Sequence, residues 1–283
     1  MVSRQCALAF SLACSVGLLC AQEPTDKELQ AASDEYMRDE LGVNDITAPS
    51  IAGILKDLGS FQPPLDIIAQ NNRDALFDNR LQTSLHFGAL VADGFMLTIA
   101  ERSDDVQDIG RALIRQARAL GIGEGMTKRS KSLLEYSRKG DWQGMREELV
   151  RTQGDVEQSM LDLRDEQMAH MISLGGWLRG FQLAANSCAR NYNPDRARIL
   201  GRSEVMDYYL DRLNTLHPRL KKTEFVSTLI AKLTELRDLA ASKAGQPPTE
   251  AEVKQMRTLA DQMEAIALGP VDDEGRIVKK AAP

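Results

Sequence analysis

Three glycines inside one helical segment constrain the fold of this chain more than any other feature. They lie in Leu174–Phe181, whose sequence is LGGWLRGF. A glycine in a helix interior costs about 1 kcal/mol relative to alanine, so this segment needs compensating packing. Small residues recur around it at steps of three or four, which places them on one face of the helix. They are Ala169, Ser173, Gly176, Gly180, Ala184 and Ser187.

This small-residue face has two interpretations. Small side chains let a second helix backbone approach closely, which predicts close packing at Gly176, at Gly180 and at Gly88 of another helix. Alternatively, the missing side chains leave room for a ligand. We favour close packing, because small-residue faces in helical bundles commonly serve it. Gly175 lies off this face, and close packing along the face leaves it unexplained.

A second helix carries an apolar run on every face. The run is Ser84–Ala100, within a helix predicted from about Arg73 to Glu101, and this pattern is typical of a helix buried in a large core. Its 17 residues fall short of the ~20 that a membrane span needs. An Asp at the bilayer centre, such as Asp93, also costs ~3 kcal/mol. We therefore expect a central helix of a bundle and no transmembrane helix.

Two polar residues, His86 and Asp93, share one face of this central helix. A buried Asp93 needs a partner from another helix, and we predict His170, Trp177 or Arg179. The pairing is either a structural tie that fixes the helix register or the polar anchor of a ligand pocket. Arg179 begins a polar stripe that is either exposed to solvent or reaches Asp93 through its guanidinium. The other members of the stripe are Gln182, Asn186 and Arg190.

The rest of the chain also favours helices. Aromatic residues make up 5% of the sequence, which disfavours an all-β fold. Capping boxes are predicted at Thr25 and Thr249, and no segment alternates like a strand. We predict an all-α fold, a single multi-helix bundle of about eight to nine helices with long central helices. Its domain covers 63–268, with N-terminal helices of 22–62 packed on it and a disordered C-terminal tail over 269–283.

The N-terminus has the pattern of a signal peptide, residues 1–21. Arg4 precedes an uncharged apolar run, and a small-residue cleavage site lies before Gln22. We expect export, to the periplasm or as a secreted protein; the alternative is a membrane-anchored lipoprotein with its lipid on Cys20. Cys188 is then the remaining cysteine, so no internal disulfide is expected. The net charge of −6 argues against a nucleic-acid partner.

Three short motifs carry a resemblance to a known group of proteins. They are Leu85-x-x-Gly88-x-x-x-x-Asp93, Leu120-Gly121-Ile122 and Leu174-Gly175-Gly176-Trp177-x-x-Gly180. In this order they resemble motifs of an uncharacterised group of exported all-helical bacterial proteins, often lipoproteins, with a Gly-Gly-Trp-x-x-Gly helix. The resemblance covers about residues 60–190 and implies an exported helical fold without implying a reaction. This chain departs from the group at Arg179, where the group typically has Glu.

Motifs of known enzymes are absent from the sequence. It contains no Gly-x-Ser-x-Gly, no His-Glu-x-x-His and no phosphate loop, and Glu166 with His170 is a weak metal-ligand pair. We expect no enzyme activity, no cofactor and no metal. The leading hypothesis is a protein that binds a partner protein or supports the cell envelope. The alternative is a small-ligand-binding protein with a pocket between the Asp93 helix and the Trp177 helix, formed from His86, Asp93, His170, Trp177 and Arg179.

Overall fold

The computed structural model describes residues 61–122, 132–133, 135–241 and 245–278. In these residues the chain is all-α, as the sequence predicts. The first helices are α1 (Leu65–Gln70), α2 (Arg80–Ile99), α3 (Ser103–Ala119), α4 (Trp142–Asp162) and α5 (Glu166–Arg190). The later ones are α6 (Pro194–Ala197), a 3₁₀ turn (Arg198–Gly201), α7 (Ser203–Thr215), α8 (Pro218–Lys221), α9 (Glu224–Ala241) and α10 (Glu250–Ala267). Residues 135–139 are also helical.

Local capping fixes where two of these helices begin. The Thr249 hydroxyl accepts from the backbone N–H of Glu252, whose carboxylate accepts from the backbone N–H of Thr249, which completes the predicted capping box of α10. Helix α2 starts at Arg80, later than the predicted Arg73, because the Asn79 side chain accepts from the Leu81 N–H at 2.9 Å. Residues 71–79 therefore form a loop between α1 and α2.

Helices α2 and α5 form the centre of the bundle and touch through their backbones. A methyl group built on Gly88 would lie 2.0 Å from the carbonyl oxygen of Ile172, and one on Gly175 would lie 2.0 Å from the carbonyl oxygen of Leu85. A methyl on Gly176 would have its nearest neighbour at an ordinary 3.5 Å. The close approach thus depends on Gly88 and Gly175. The sequence pattern named Gly88, but on α5 it named Gly176 and Gly180 and left Gly175 unexplained. Gly180 is buried.

The remaining helices surround this pair. Helix α3 packs on α2, and α4 packs on both central helices. Helix α10 packs on α5, and α9 lies between α10 and α7. Every residue of α2 from Leu81 to Thr98 is buried, which fits the predicted central position. No helix among the described residues is both long and apolar enough to cross a membrane.

Part of the C-terminal segment is folded. Val271 and Ile277 form an antiparallel bridge, and the Phe225 N–H donates to the carbonyl of Gly275 at 3.0 Å. The Ile277 N–H donates to the Glu224 carboxylate at 3.1 Å. The expectation of a disordered tail over 269–283 is therefore wrong for 269–278, because these bonds attach the segment to the start of α9. Residues 279–283, the predicted signal peptide 1–21 and nearly all of 22–62 lie outside the described residues, so those predictions stay predictions.

Candidate functional site

A buried ion pair joins the two central helices. The Arg179 Nε donates to Asp93 Oδ1 at 2.7 Å, and Nη2 donates to Oδ2 at 3.2 Å. The side chains of Arg179 and Asp93 are 3% and 0% exposed. Of the three partners predicted for Asp93, the structure thus places Arg179 on it. Two parallel bonds between an arginine and a carboxylate are among the stronger hydrogen-bonded ion contacts in proteins.

The ion pair has further partners that surround it. Arg179 Nη1 donates to Gln182 Oε1 at 2.5 Å, and Nη2 donates to the carbonyl of Ile67 at 3.1 Å. The Asn71 amide donates to Asp93 Oδ2 at 2.7 Å. Burial lowers the pKa of Arg179, but its attraction to Asp93 and Glu264 outweighs this and raises the pKa overall, so Arg179 stays charged. These contacts bind the loop after α1 to the centre of the bundle.

A cleft opens beside the ion pair. It has a volume of about 590 Å³ and runs between α1 with the loop that follows it, α2, α5 and α10 with residues 268–270. Arg179 and His86 line its inner side, and Phe77 of the loop and Glu264 of α10 line its flanks. The cleft lies next to the contact between α2 and α5 and not within it, because the helix backbones touch at Gly88. It therefore differs in position from the pocket predicted between the Asp93 and Trp177 helices.

His86 is the unusual residue of the cleft. Its side chain is fully buried, and its ring lies against the backbone of Asn72 and the side chain of Gln116. The ring packs edge-on against Phe77, with centroids 5.3 Å apart. Burial, reinforced by the charge of Arg179, lowers the pKa of His86 to about 4. At neutral pH the ring is therefore uncharged, with one N–H donor and one lone pair.

Two carboxylates of α10 face the same cleft. Glu264 Oε1 lies 3.4 Å from Arg179 Nη1 but makes no hydrogen bond with the described residues. Burial raises the pKa of Glu264 to about 7; Arg179 opposes the shift, and Asp93 and Asp261 add to it. Asp261 accepts from the Gln182 amide at 2.8 Å and from the Asn186 amide at 3.1 Å. The cleft thus combines one arginine, already bound to a carboxylate, with two further acidic residues.

His170 and Trp177 lie away from the cleft. His170 is nine residues from Arg179, about two and a half helical turns, so the two side chains leave α5 on opposite faces. His170 Nδ1 lies 3.5 Å from the hydroxyl of Tyr208, and burial lowers its pKa to about 4. Trp177 packs on Tyr209, with ring centroids 5.2 Å apart. The structure therefore brings together His86, Asp93 and Arg179 and places the other two predicted residues in an aromatic cluster.

The acidic residues of α10 and the residues of the loop 71–79 at this site were not predicted from the sequence. Asp261 and Glu264 are three residues apart on an amphipathic helix, where such acids usually lie on a solvated face. Gln182 and Asn186 did have a signal, because they belong to the polar stripe that begins at Arg179. Among the described residues, no group of three His, Cys, Asp or Glu side chains could hold a metal ion.

Comparisons with protein-family models, with curated protein sequences and with solved structures find no match to this chain. The resemblance to exported helical proteins therefore stays a prediction.

Proposed function

We propose that this protein binds a small polar molecule in the cleft beside the Asp93–Arg179 ion pair. The observation that carries the proposal is the cleft itself, because concave pockets with a few convergent polar groups are the usual place for small-molecule binding. Its lining combines apolar side chains with the polar groups of Gln182, Asp261 and Glu264. A polar molecule of matching size would find both kinds of surface there.

The dimensions and rigidity of the cleft support this proposal. Its volume of about 590 Å³ falls in the range of small-molecule pockets, roughly 300–1,000 Å³. Phe77 and Leu268 supply apolar surface, and Gln182, Asp261 and Glu264 supply a few polar groups. The ion pair holds the inner side of the cleft in place before any ligand arrives, and such preorganisation lowers the entropic cost of binding.

The proposal is for binding without chemical conversion. Arg179 is the cation of the cleft, and its guanidinium already donates to Asp93, Gln182 and a backbone carbonyl. It is therefore committed to the fold and is not free to stabilise charge on a reacting substrate. We further propose, from residues 1–21, that the protein works after export, with a lipid anchor on Cys20 as the alternative. Partner-protein binding or an envelope role, the leading hypothesis from the sequence, stays a prediction.

A blocking variant tests the proposal. Ala265 is exposed and lines the cleft, so Ala265→Trp would fill part of it, whereas Ala251→Trp adds the same side chain to an exposed position of α10 that does not line it. The assay is the shift in thermal midpoint caused by a panel of small organic cations, organic anions, sugars and neutral amides.

We expect one class to stabilise the wild type and Ala251→Trp but not Ala265→Trp. At a ligand concentration of 100 times Kd the stabilisation is about 2.7 kcal/mol. For a domain of this size that corresponds to roughly 5–10 °C. The proposal is wrong if no class shifts the midpoint, or if the shift persists in Ala265→Trp.

A further inference from the structure

We propose that residues 61–79 form a strap that opens as a unit and gates the cleft, and that ion pairs and hydrogen bonds hold it closed. The strap consists of α1, the four residues before it and the loop 71–79. It supplies one wall of the cleft, which includes Ile67, Asn71 and Phe77, so moving it away opens that side of the cleft to solvent. The gating role rests on the proposed function, whereas the opening itself is measured without a ligand.

Little apolar surface fastens the strap to the bundle. Of residues 61–79, only Phe61, Pro64 and Ile68 are buried. In α2, by contrast, every residue from Leu81 to Thr98 is buried. Burial of apolar surface is the main favourable contribution to folding, and segments that have little of it open at a lower free-energy cost than the core. The strap can therefore open while the rest of the bundle stays folded.

Two ion pairs fasten the loop of the strap to α3. Arg73 Nη1 donates to Asp105 Oδ1 at 2.9 Å, and Arg115 donates to the carboxylate of Asp74. The Asp74 side chain is 84% exposed, and those of Arg73 and Asp105 are also partly solvated. Ion pairs in contact with water each contribute little, and dissolved salt weakens them. The closed position of the loop should therefore depend on ionic strength.

A third ion pair and a buried hydrogen bond fasten α1 to α5. Arg190 Nη1 donates to Asp66 Oδ1 at 2.7 Å, and both side chains are about half exposed. Deeper in the cleft, Arg179 Nη2 donates to the carbonyl of Ile67 at 3.1 Å. Opening of the strap breaks this bond but leaves Arg179 paired with Asp93. No unpaired charge is then left in the core, which removes the main electrostatic obstacle to opening.

His86 lies directly beneath the strap and can report its opening. The ring is fully buried, packs edge-on against Phe77 and lies against the backbone of Asn72. Both of these residues belong to the strap, so moving it away exposes the ring to solvent. The other two histidines of the chain are internal references. His217 is exposed, and His170 is buried in the aromatic cluster away from the strap.

Modification by diethyl pyrocarbonate, which reacts with accessible neutral imidazole rings, tests the proposal. Peptide mass spectrometry gives the rate of modification of each histidine in the full chain. The ratio of the rate at His86 to the rate at His217 measures the fraction of molecules with an open strap. Urea unfolding gives the fraction of globally unfolded molecules for comparison.

One variant removes the three ion pairs of the strap, and another is its matched control. The combination of Asp66→Asn, Asp74→Asn and Asp105→Asn removes the three acids that pair with arginines across the strap. Glu235→Gln removes an exposed ion pair of α9, in which Lys232 Nζ donates to the Glu235 carboxylate at 2.9 Å. Far-UV circular dichroism checks that each variant is folded.

We expect the open fraction of the wild type to exceed its unfolded fraction at least tenfold. One exposed ion pair changes an equilibrium constant by a factor of roughly 1.5 to 5, so the triple variant should accelerate modification of His86 about tenfold. His170 should keep its rate, and Glu235→Gln should leave both rates unchanged. Raising NaCl to about 1 M should accelerate modification of His86 in the wild type but not in the triple variant. The salt dependence of the wild type needs no variant to fold.

Three results would overturn the proposal. If His86 reacts no faster than the unfolded fraction allows, or if His170 accelerates in step with it, the strap does not open separately from the bundle. If neither salt nor the triple variant changes the rate at His86 by more than twofold, the ion pairs do not hold the strap closed. A ligand panel without any thermal shift overturns the proposed function and the gating role with it, and leaves the measured opening of the strap standing.

Discussion

Two neighbouring glycines of α5 should respond to the same substitution with opposite signs. Gly175→Ala and Gly176→Ala each remove a helix-interior glycine, which by itself stabilises a helix by up to about 1 kcal/mol. The methyl group of Gly176→Ala would meet its nearest neighbour at 3.5 Å, an ordinary contact, so this gain should be retained. The methyl of Gly175→Ala would lie 2.0 Å from the carbonyl oxygen of Leu85.

The cost at Gly175 follows from the atoms involved. Carbon atoms approach each other comfortably at about 3.5–4.0 Å, so the methyl falls short of a normal contact by more than 1 Å. Its neighbours are backbone atoms of Leu85, which cannot rotate away as a side chain can. The two central helices would have to separate along their shared length. We therefore expect the upper end of the overpacking range, about 3 kcal/mol, and a net loss of about 2 kcal/mol after the helix-propensity gain.

Urea unfolding followed by far-UV circular dichroism measures both effects. The free energies of unfolding of the two variants should differ by about 3 kcal/mol, or roughly 6–12 °C in thermal midpoint. Gly176→Ala serves as the matched control, since it makes the same change one position along the same helix. If both variants are stabilised, or if Gly176→Ala is the more destabilised of the two, the backbone contact between α2 and α5 is not where we place it.

Two further predictions concern buried charge. Asp93→Ala leaves the buried Arg179 without its ion-pair partner and should lower the free energy of unfolding, measured with denaturant, by about 3 kcal/mol. This is the lower end of the range for a broken buried ion pair, because the Glu264 carboxylate remains near Arg179. The second concerns His170, whose pKa in the folded protein is lowered to about 4. Neutral His170 therefore stabilises the fold above pH 6.5, and this contribution is lost as the pH falls from 6.5 to 4. In His170→Gln the free energy of unfolding should decrease less steeply over that interval than in the wild type.

Each of these two predictions has its own control. For the ion pair, Asp93→Leu combined with Arg179→Met removes both charges and should cost less than Asp93→Ala, and a loss below 1 kcal/mol in Asp93→Ala would contradict the prediction. For His170, the comparison is between slopes, because Glu264 acts in the opposite direction: its raised pKa makes stability increase as pH falls through 7. If the stability of His170→Gln falls between pH 6.5 and pH 4 as steeply as that of the wild type, the lowered pKa of His170 does not cause the loss.

The helices could be predicted from the sequence because their signals are local. The capping box at Thr249 is a short-range hydrogen-bond pattern and needs no tertiary information. The all-round apolar pattern of α2 likewise reports its burial directly. Requiring a partner for a buried Asp93 also narrowed the choice to three residues, one of which is Arg179.

The cleft could not be predicted because its walls meet only in the folded chain. Glu264 is 85 residues from Arg179 in sequence, and nothing around it distinguishes it from a solvated acid. The contact made by Gly175 could not be predicted either, although Gly175 lies within a helix that was predicted. A periodic stripe identifies one helix face, but successive residues are about 100° apart, so the direction of closest approach can fall between two faces. The polar stripe, by contrast, did single out Arg179 and Gln182.

The contact between Gly88 and Gly175 also determines which parts of this protein can move. Two helices whose backbones touch cannot slide or rotate against each other without a collision, so α2 and α5 behave as one rigid unit. His86 and Arg179 belong to that unit, whereas Phe77 lies on a loop and Glu264 on α10. Any change in the shape of the cleft is therefore confined to its outer walls, while the inner wall that carries Arg179 keeps its form.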